Sequence, residues 1–212
     1  MTKSKTEIVG RIFIILHLVG IVGFSLDTSR PLFQLLTPFN LILSLVLLLW
    51  MHPAVDRRFI ILCLAVAVLG YLIEVIGVNT GLIFGTYSYG KTLGFKVWQT
   101  PLLIGVNWLM MIYYTSAIAK RYFKSGLVQI IMASVLMVLM DVLIEPVAIA
   151  YDYWSWSSED IPLQNYLGWF VLSLLLHTLY NSIQKTRENG VAPYLALAQF
   201  FFFLVLNFFR TI

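Results

Sequence analysis

The chain has 212 residues, 60% of them hydrophobic and only 11% charged, against roughly a quarter charged in an ordinary soluble domain. Apolar stretches recur along the whole length, which argues against a soluble core with one anchor and for a single integral membrane domain over residues 1–212. The net charge of +4 reads as a topology signal rather than a nucleic-acid footprint, and Cys63, the single cysteine, leaves neither an internal disulfide nor a thiolate metal site.

A hydrocarbon core about 30 Å thick takes about 20 helical residues to cross, because each advances about 1.5 Å. In chain order, seven segments meet that length: Ile8 to Leu26, Leu32 to Trp50, Arg58 to Val78, Trp98 to Ala119, Leu127 to Ala150, Asn165 to Ile183 and Ala192 to Phe209. The expected fold is therefore all-α, a polytopic transmembrane bundle. Pro38 interrupts the second span. The first follows Lys3 and Lys5 as a signal peptide would, but Asp27, Thr28 and Arg30 close it in place of a small-residue cleavage pattern, so a retained helix is expected.

Basic residues in short connections are retained on the cytoplasmic side. Lys3, Lys5, Arg11, Arg57, Arg58, Lys120, Arg121, Lys124, Lys185 and Arg187 fall on one side, and Arg30, Lys91, Lys96 and Arg210 on the other. With seven spans this puts the N-terminus in and the C-terminus out. A multi-pass protein is expected, and a prokaryotic cell membrane is its expected location.

The two long outward connections have an unusual composition. Residues 79–97 read NTGLIFGTYSYGKTLGFKV, with Phe84, Tyr87, Tyr89 and Phe95 set among glycines; residues 151–164 read YDYWSWSSEDIPLQ, with Trp154 and Trp156. These read either as the aromatic belts that Trp and Tyr form at membrane interfaces, or as two loops folded over an outward-facing cavity.

Three acids lie inside the spans: Glu74 in the third, Asp141 and Glu145 in the fifth. A charge there costs about 2.5 to 3.5 kcal/mol on insertion scales, so each needs a reason. Asp141 and Glu145 are four apart and share one helix face, and Pro146 removes a backbone N–H beside them. Counting about 1.5 Å per residue from the outward ends places Glu74 and Glu145 roughly 6 to 8 Å deep, Asp141, Asn107 and His17 roughly 14 Å, and His177 roughly 18 Å. These groups form either interhelical glue or a layered polar site opening outward. Three carboxyls with no evident buried basic partner are not all ionised in hydrocarbon, and one that keeps its proton in an apolar cavity is a general acid.

Glu74 with Gly77, Thr80 and Gly81, then FGTYSYG, Leu93 and Gly94, Pro101, Trp108, and later DVLIEP, YWSW, IPLQN and LGW, resemble the carotenoid biosynthesis membrane proteins that include the carotenoid 1,2-hydratases of the bisanhydrobacterioruberin hydratase type. The resemblance covers about Glu74 to Trp169. It departs where a Gly-Val-Pro-like approach to the fourth span is expected and Trp98, Gln99, Thr100 and Pro101 stand instead, and at Glu145, where the family often has Asp.

The resemblance implies addition of water to the terminal double bond of an acyclic carotenoid, of lycopene or bacterioruberin-precursor type, taken from the lipid bilayer and giving a tertiary alcohol without a metal or redox cofactor. Asp141 or Glu74 is the expected proton donor and Glu145 the group that positions water or acts as base. Asn107 is expected to orient either, and Tyr87, Tyr89, Trp108, Trp154 and Trp156 to line the pocket. An end-group cyclase starts from the same protonation; a transporter or carotenoid-binding scaffold would use the acids as a relay, although the two halves show no internal repeat.

Overall fold

The computed structural model describes residues 3–183 and 189–210; Lys185 and Arg187, two of the charges counted for orientation, lie outside them. Among the described residues seven helices follow one another: α1 (Lys3–Ser25), α2 (Arg30–Trp50), α3 (Arg57–Thr80), α4 (Leu103–Tyr122), α5 (Gly126–Ala150), α6 (Leu163–Ile183) and α7 (Ala192–Arg210). Five of them, α1, α2, α3, α5 and α7, are long and apolar enough to cross a membrane. The helix of each expected span is present, and α2 and α5 run on through Pro38 and Pro146.

The local signals are conventional. Asp56 caps α3 by accepting the Phe59 N–H at 2.7 Å, and Gly81, at φ 68°, ends it in the left-handed conformation that glycine adopts without steric cost. Apolar side chains such as Ile15 and Val22 on α1 and Leu35 and Phe39 on α2 face outward, as a lipid-facing surface requires.

Of the two helices that fall short in apolar character, α4 is an inner one. Helix α4 touches α2, α3, α5, α6 and α7, and residues 108–117 are buried on every face. Its polar groups are satisfied by neighbours: Thr115 Oγ1 meets His177 Nε2 of α6 at 2.8 Å, and His177 Nδ1 meets the Ser173 carbonyl at 2.7 Å. A helix screened by other helices meets its polar needs within the bundle, so hydropathy understates it. Close approach of α3 to α4 depends on Gly70, where an added Cβ would lie 2.6 Å from Trp108 Cβ.

The connections of this all-α bundle carry short extended segments. Strand β1 (Tyr87–Tyr89) comes from the first long loop, β2 (Lys96–Val97) and β3 (Thr100–Pro101) follow it, and β4 (Trp154–Trp156) comes from the second long loop. Strands β1 and β4 pair antiparallel with Tyr87 opposite Trp156, Ser88 opposite Ser155 and Tyr89 opposite Trp154. At the end of this ribbon the Gly90 N–H reaches the Tyr153 carbonyl at 2.8 Å, and an added Cβ on Gly90 would overlap the Asp152 backbone. The two long loops are therefore one structure, tied together across 61 residues of chain by bonds such as Lys91 N–H to Asp152.

The expected fourth span is corrected at its start: residues 98–101 belong to a hairpin, and the helix begins at Leu103. Strands β2 and β3 are joined by a two-residue loop in which Trp98 and Gln99 have φ 47° and 63°. Such tight turns favour Asn-Gly or Gly, since both central residues take positive φ. The loop is held from α3, where Asn79 Nδ2 donates to the Trp98 carbonyl at 3.1 Å and Tyr71 OH to that of Val97 at 2.8 Å.

Candidate active site

The ribbon's alternation sets the site. Successive side chains on a strand point to opposite faces, so in Tyr-Ser-Tyr and Trp-Ser-Trp the aromatic residues turn inward and the serines outward. Ser88 and Ser155 are exposed with hydroxyls 3.3 Å apart, while the four rings cover the helix ends beneath.

Glu74, on the last turns of α3, is buried and accepts three hydrogen bonds. Tyr87 OH and Tyr89 OH reach its Oε2 at 2.5 and 2.7 Å, and the Trp108 indole N–H reaches Oε1 at 2.9 Å. Burial first, and the adjacent Glu74 carboxylate second, push the Tyr87 and Tyr89 phenols well above their ordinary range, so both hold their protons.

Glu145 on α5 is buried in a matching cradle. Trp154 and Trp156 indole N–H groups both donate to its Oε2 at 2.9 Å, and Asn165 Nδ2 donates to Oε1 at 3.1 Å. The same Asn165 amide donates to Asp141 Oδ2 at 2.9 Å, one turn away on α5. Asp141 Oδ1 is buried without a hydrogen-bond partner among the described residues. No salt bridge reaches any of these three acids, and no group of His, Cys, Asp and Glu able to hold a metal ion occurs, among the described residues.

Glu74 and Glu145 line one cavity of about 20 Å³, together with Tyr87, Tyr89, Trp108, Trp154, Trp156 and Asn165. That is room for a single water, and the site offers the polar partners a buried water needs. Trp169 closes it by stacking on Trp108, with ring centroids 4.3 Å apart. Asp141 lines neither this cavity nor the larger one beside it.

These residues lie within a family match that spans residues 36–212 and is described as "Carotenoid biosynthesis protein". The chain belongs to that family. The match reaches beyond the motif region of 74–169 on both sides, to the middle of α2 and through α7. Among carotenoid biosynthesis proteins, the bisanhydrobacterioruberin hydratase of Haloarcula japonica is 28% identical over 156 residues, 67% of this chain and 50% of that protein. The chain thus spans about half the length of this relative. No solved structure matches it significantly.

In this carotenoid biosynthesis protein the expected site residues divide. Glu74, Glu145, Tyr87, Tyr89, Trp108, Trp154 and Trp156 converge on the small cavity, and Asp141 adjoins Glu145 through Asn165. Asn107 lines the cavity, but its amide donates to Met111 Sδ at 3.5 Å and to none of the acids. His17 faces the larger cavity, and His177 belongs to the separate α4–α6 contact. The amide that does bind the acids, Asn165, and the ring that stacks over them, Trp169, stand in IPLQN and LGW. Both motifs were visible in the sequence, but nothing there pointed their side chains inward.

Proposed function

We propose that this carotenoid biosynthesis protein is a hydratase that adds water to the terminal trisubstituted double bond of an acyclic carotenoid, giving a tertiary 1-hydroxy end group. The observation that carries the reading is that two carboxyls from different helices, Glu74 and Glu145, face one water-sized cavity walled by aromatic rings. Acid-catalysed hydration needs a proton donor, a base and one water in a place otherwise kept dry.

Hydrogen-bond chemistry divides the two roles. Glu145 Oε2 meets two indole N–H groups, which donate and never accept, so this oxygen is held as an acceptor. Glu74 Oε2 meets two phenols, which do either, so a proton can rest on Glu74 and be restored through Tyr87 or Tyr89. Glu74 then gives its proton to the CH carbon of the terminal double bond, leaving a tertiary cation at the carbon that bears two methyl groups. The water adds its oxygen to that carbon and its surplus proton passes to Glu145. Transfer of that proton back to Glu74 completes a net addition of one H₂O. The ring faces of Trp108 and Trp169 and the Glu145 carboxylate stabilise the passing positive charge.

An end-group cyclase would make the same cation and then exclude water; the polar, water-sized cavity between the carboxyls favours hydration. The reading also takes all seven helices as spans of one membrane domain over 1–212, N-terminus in, in a prokaryotic cell membrane, supported by the basic residues of the short connections and the screened position of α4. Expression in a host that makes an acyclic carotenoid tests the reaction by mass spectrometry. A gain of one water supports it, an isomer of unchanged mass indicates cyclisation, and no product rejects both. Tags at each terminus, probed for accessibility in intact cells, test the orientation.

A further inference from the structure

The cavity between the carboxyls, at about 20 Å³, cannot also hold a branched hydrocarbon end group. The structure has a second cavity that can. It measures about 270 Å³ and is walled by α1, α2, α4, α5 and α7, and its lining is mostly apolar, with His17, Thr37, Asn40, Asn107 and Gln199 among its polar side chains. Ile104, Asn107 and Trp154 line both cavities, so the two are separated by single side chains. One of these, Trp154, is also a hydrogen-bond donor to Glu145.

The far side of the larger cavity is thin as well. Val19 of α1 and Leu36 of α2 line it and are 52% and 42% exposed on the bundle's outer, apolar surface. Neither helix carries a carboxylate or an amine on the cavity wall.

We propose that the larger cavity is the binding site for the polyene chain of the substrate, threaded sideways from the bilayer between α1 and α2, with its terminal isoprene unit stopped against Ile104, Asn107 and Trp154. This rests on the hydratase reading and adds a division of space to it. The alkene comes from the apolar cavity, the water stays in the polar one, and the wall they share is where they meet. An apolar chain gains its binding from the surface it buries there, about 25 cal/mol for each Å², and its end group needs no polar recognition. Leu41 lines this cavity from α2 and does not line the polar one, so a larger side chain there obstructs the chain behind its end unit.

The test compares Leu41→Trp, which fills the cavity, with Leu41→Ala, which enlarges it. Asn40→Phe serves as a second filling variant if Leu41→Trp fails to fold by thermal unfolding in detergent. Two substrates with the same terminal alkene are supplied, a 40-carbon acyclic carotenoid and a ten-carbon acyclic terpene. We expect filling to lower the long-to-short ratio of hydrated product at least tenfold and the polyene absorbance that co-purifies with the protein to fall in parallel. A ratio and a co-purified absorbance both unmoved by filling overturn the proposal while leaving the hydratase reading intact. Absence of hydrated product from the unaltered protein defeats the hydratase reading instead, and the co-purified absorbance alone then decides whether the cavity holds a polyene.

Discussion

Tyr89 and Trp154 stand directly opposite each other on the β1–β4 ribbon, and each hands its polar hydrogen to a different carboxyl, Tyr89 to Glu74 and Trp154 to Glu145. The next pair on the same face, Tyr87 and Trp156, repeats the division. One strand serves the α3 acid and the other the α5 acid, so strand register fixes how the two carboxyls are presented. Trp154→Phe keeps an aromatic side chain, though a smaller one, and removes the N–H; a hydrogen bond to a charged group is worth about 1.5–3 kcal/mol, so turnover is expected to fall about 10- to 100-fold. Ser155→Ala, on the outward face, is expected to change turnover less than twofold. Equal losses in the two variants, measured as hydrated product per mole of protein, would show that the ribbon acts only as a cover.

Glu74→Gln and Glu145→Gln remove the proposed acid and base while keeping side-chain size. General acid–base groups contribute about 10²–10⁴-fold, and each variant is expected to lose product to that extent. Gln at 145 keeps a carbonyl oxygen for the indoles but sets its NH2 against the Asn165 amide, and Gln at 74 keeps one for the phenols but sets its NH2 against the Trp108 N–H, so a stability loss of about 1–3 kcal/mol is expected beside the larger loss of activity. Retention of product formation in both variants refutes the assignment of roles.

Asn165 is the residue whose loss affects two acids at once. In Asn165→Leu both Asp141 Oδ2 and Glu145 Oε1 lose their donor in a buried setting, and leaving buried polar groups unsatisfied costs about 1–3 kcal/mol each. We expect a loss of stability near the sum of two such terms, and expect Asp141→Leu in the Asn165→Leu background to recover part of it by removing one stranded carboxyl. A double-mutant cycle on thermal unfolding measures this; strict additivity counts against the shared amide.

The helices were legible because crossing a bilayer imposes a length and an apolar composition that few other structures need. The three acids were legible for the converse reason, being polar where polarity is costly. The ribbon was present in the sequence as two three-residue alternations, Tyr-Ser-Tyr and Trp-Ser-Trp, but strands this short carry little periodic signal, and their pairing joins segments 67 residues apart. The hairpin at Trp98–Gln99 was hidden because neither residue announces positive φ. Its conformation is imposed by Asn79 and Tyr71 of α3, a tertiary effect. Asn165 went unassigned because a helix-start asparagine is ordinary until the partner helix is placed beside it.

Gly70 tests the α3–α4 approach that brings the Trp108 indole to Glu74. A side chain there meets Trp108 Cβ and Cγ at 2.6 and 2.7 Å, atoms close to the backbone that cannot swing aside. Overpacking of this kind costs about 1–3 kcal/mol. Gly70→Val is expected to lower the unfolding temperature and, by displacing the indole from Glu74, to reduce activity. Val66→Ala, a cavity-forming change one turn away on the same buried face, is the control expected to lower stability without moving Trp108. Indole fluorescence of the two variants reads that difference directly.

At the other end of the bundle, His52 gives a pH dependence with a definite sign. It lies between α2 and α3, buried, with Nδ1 2.5 Å from Tyr113 OH and its ring stacked on Phe59 at 3.8 Å. Burial lowers its pKa from 6.5 to about 4, with Asp56 pulling upward and Lys120 reinforcing the fall. Between those two values the unfolded chain holds the proton and the folded chain does not. Stability is therefore at its full value above about pH 6.5 and declines as pH drops toward 4. His52→Phe keeps the stacking surface and removes the titration, so the fall in unfolding temperature from pH 7.5 to 4.5 is expected to be smaller than in the unaltered protein. Carboxyls that titrate over the same range act on both proteins alike, and the difference between the two curves isolates His52; parallel curves would place the acid sensitivity elsewhere.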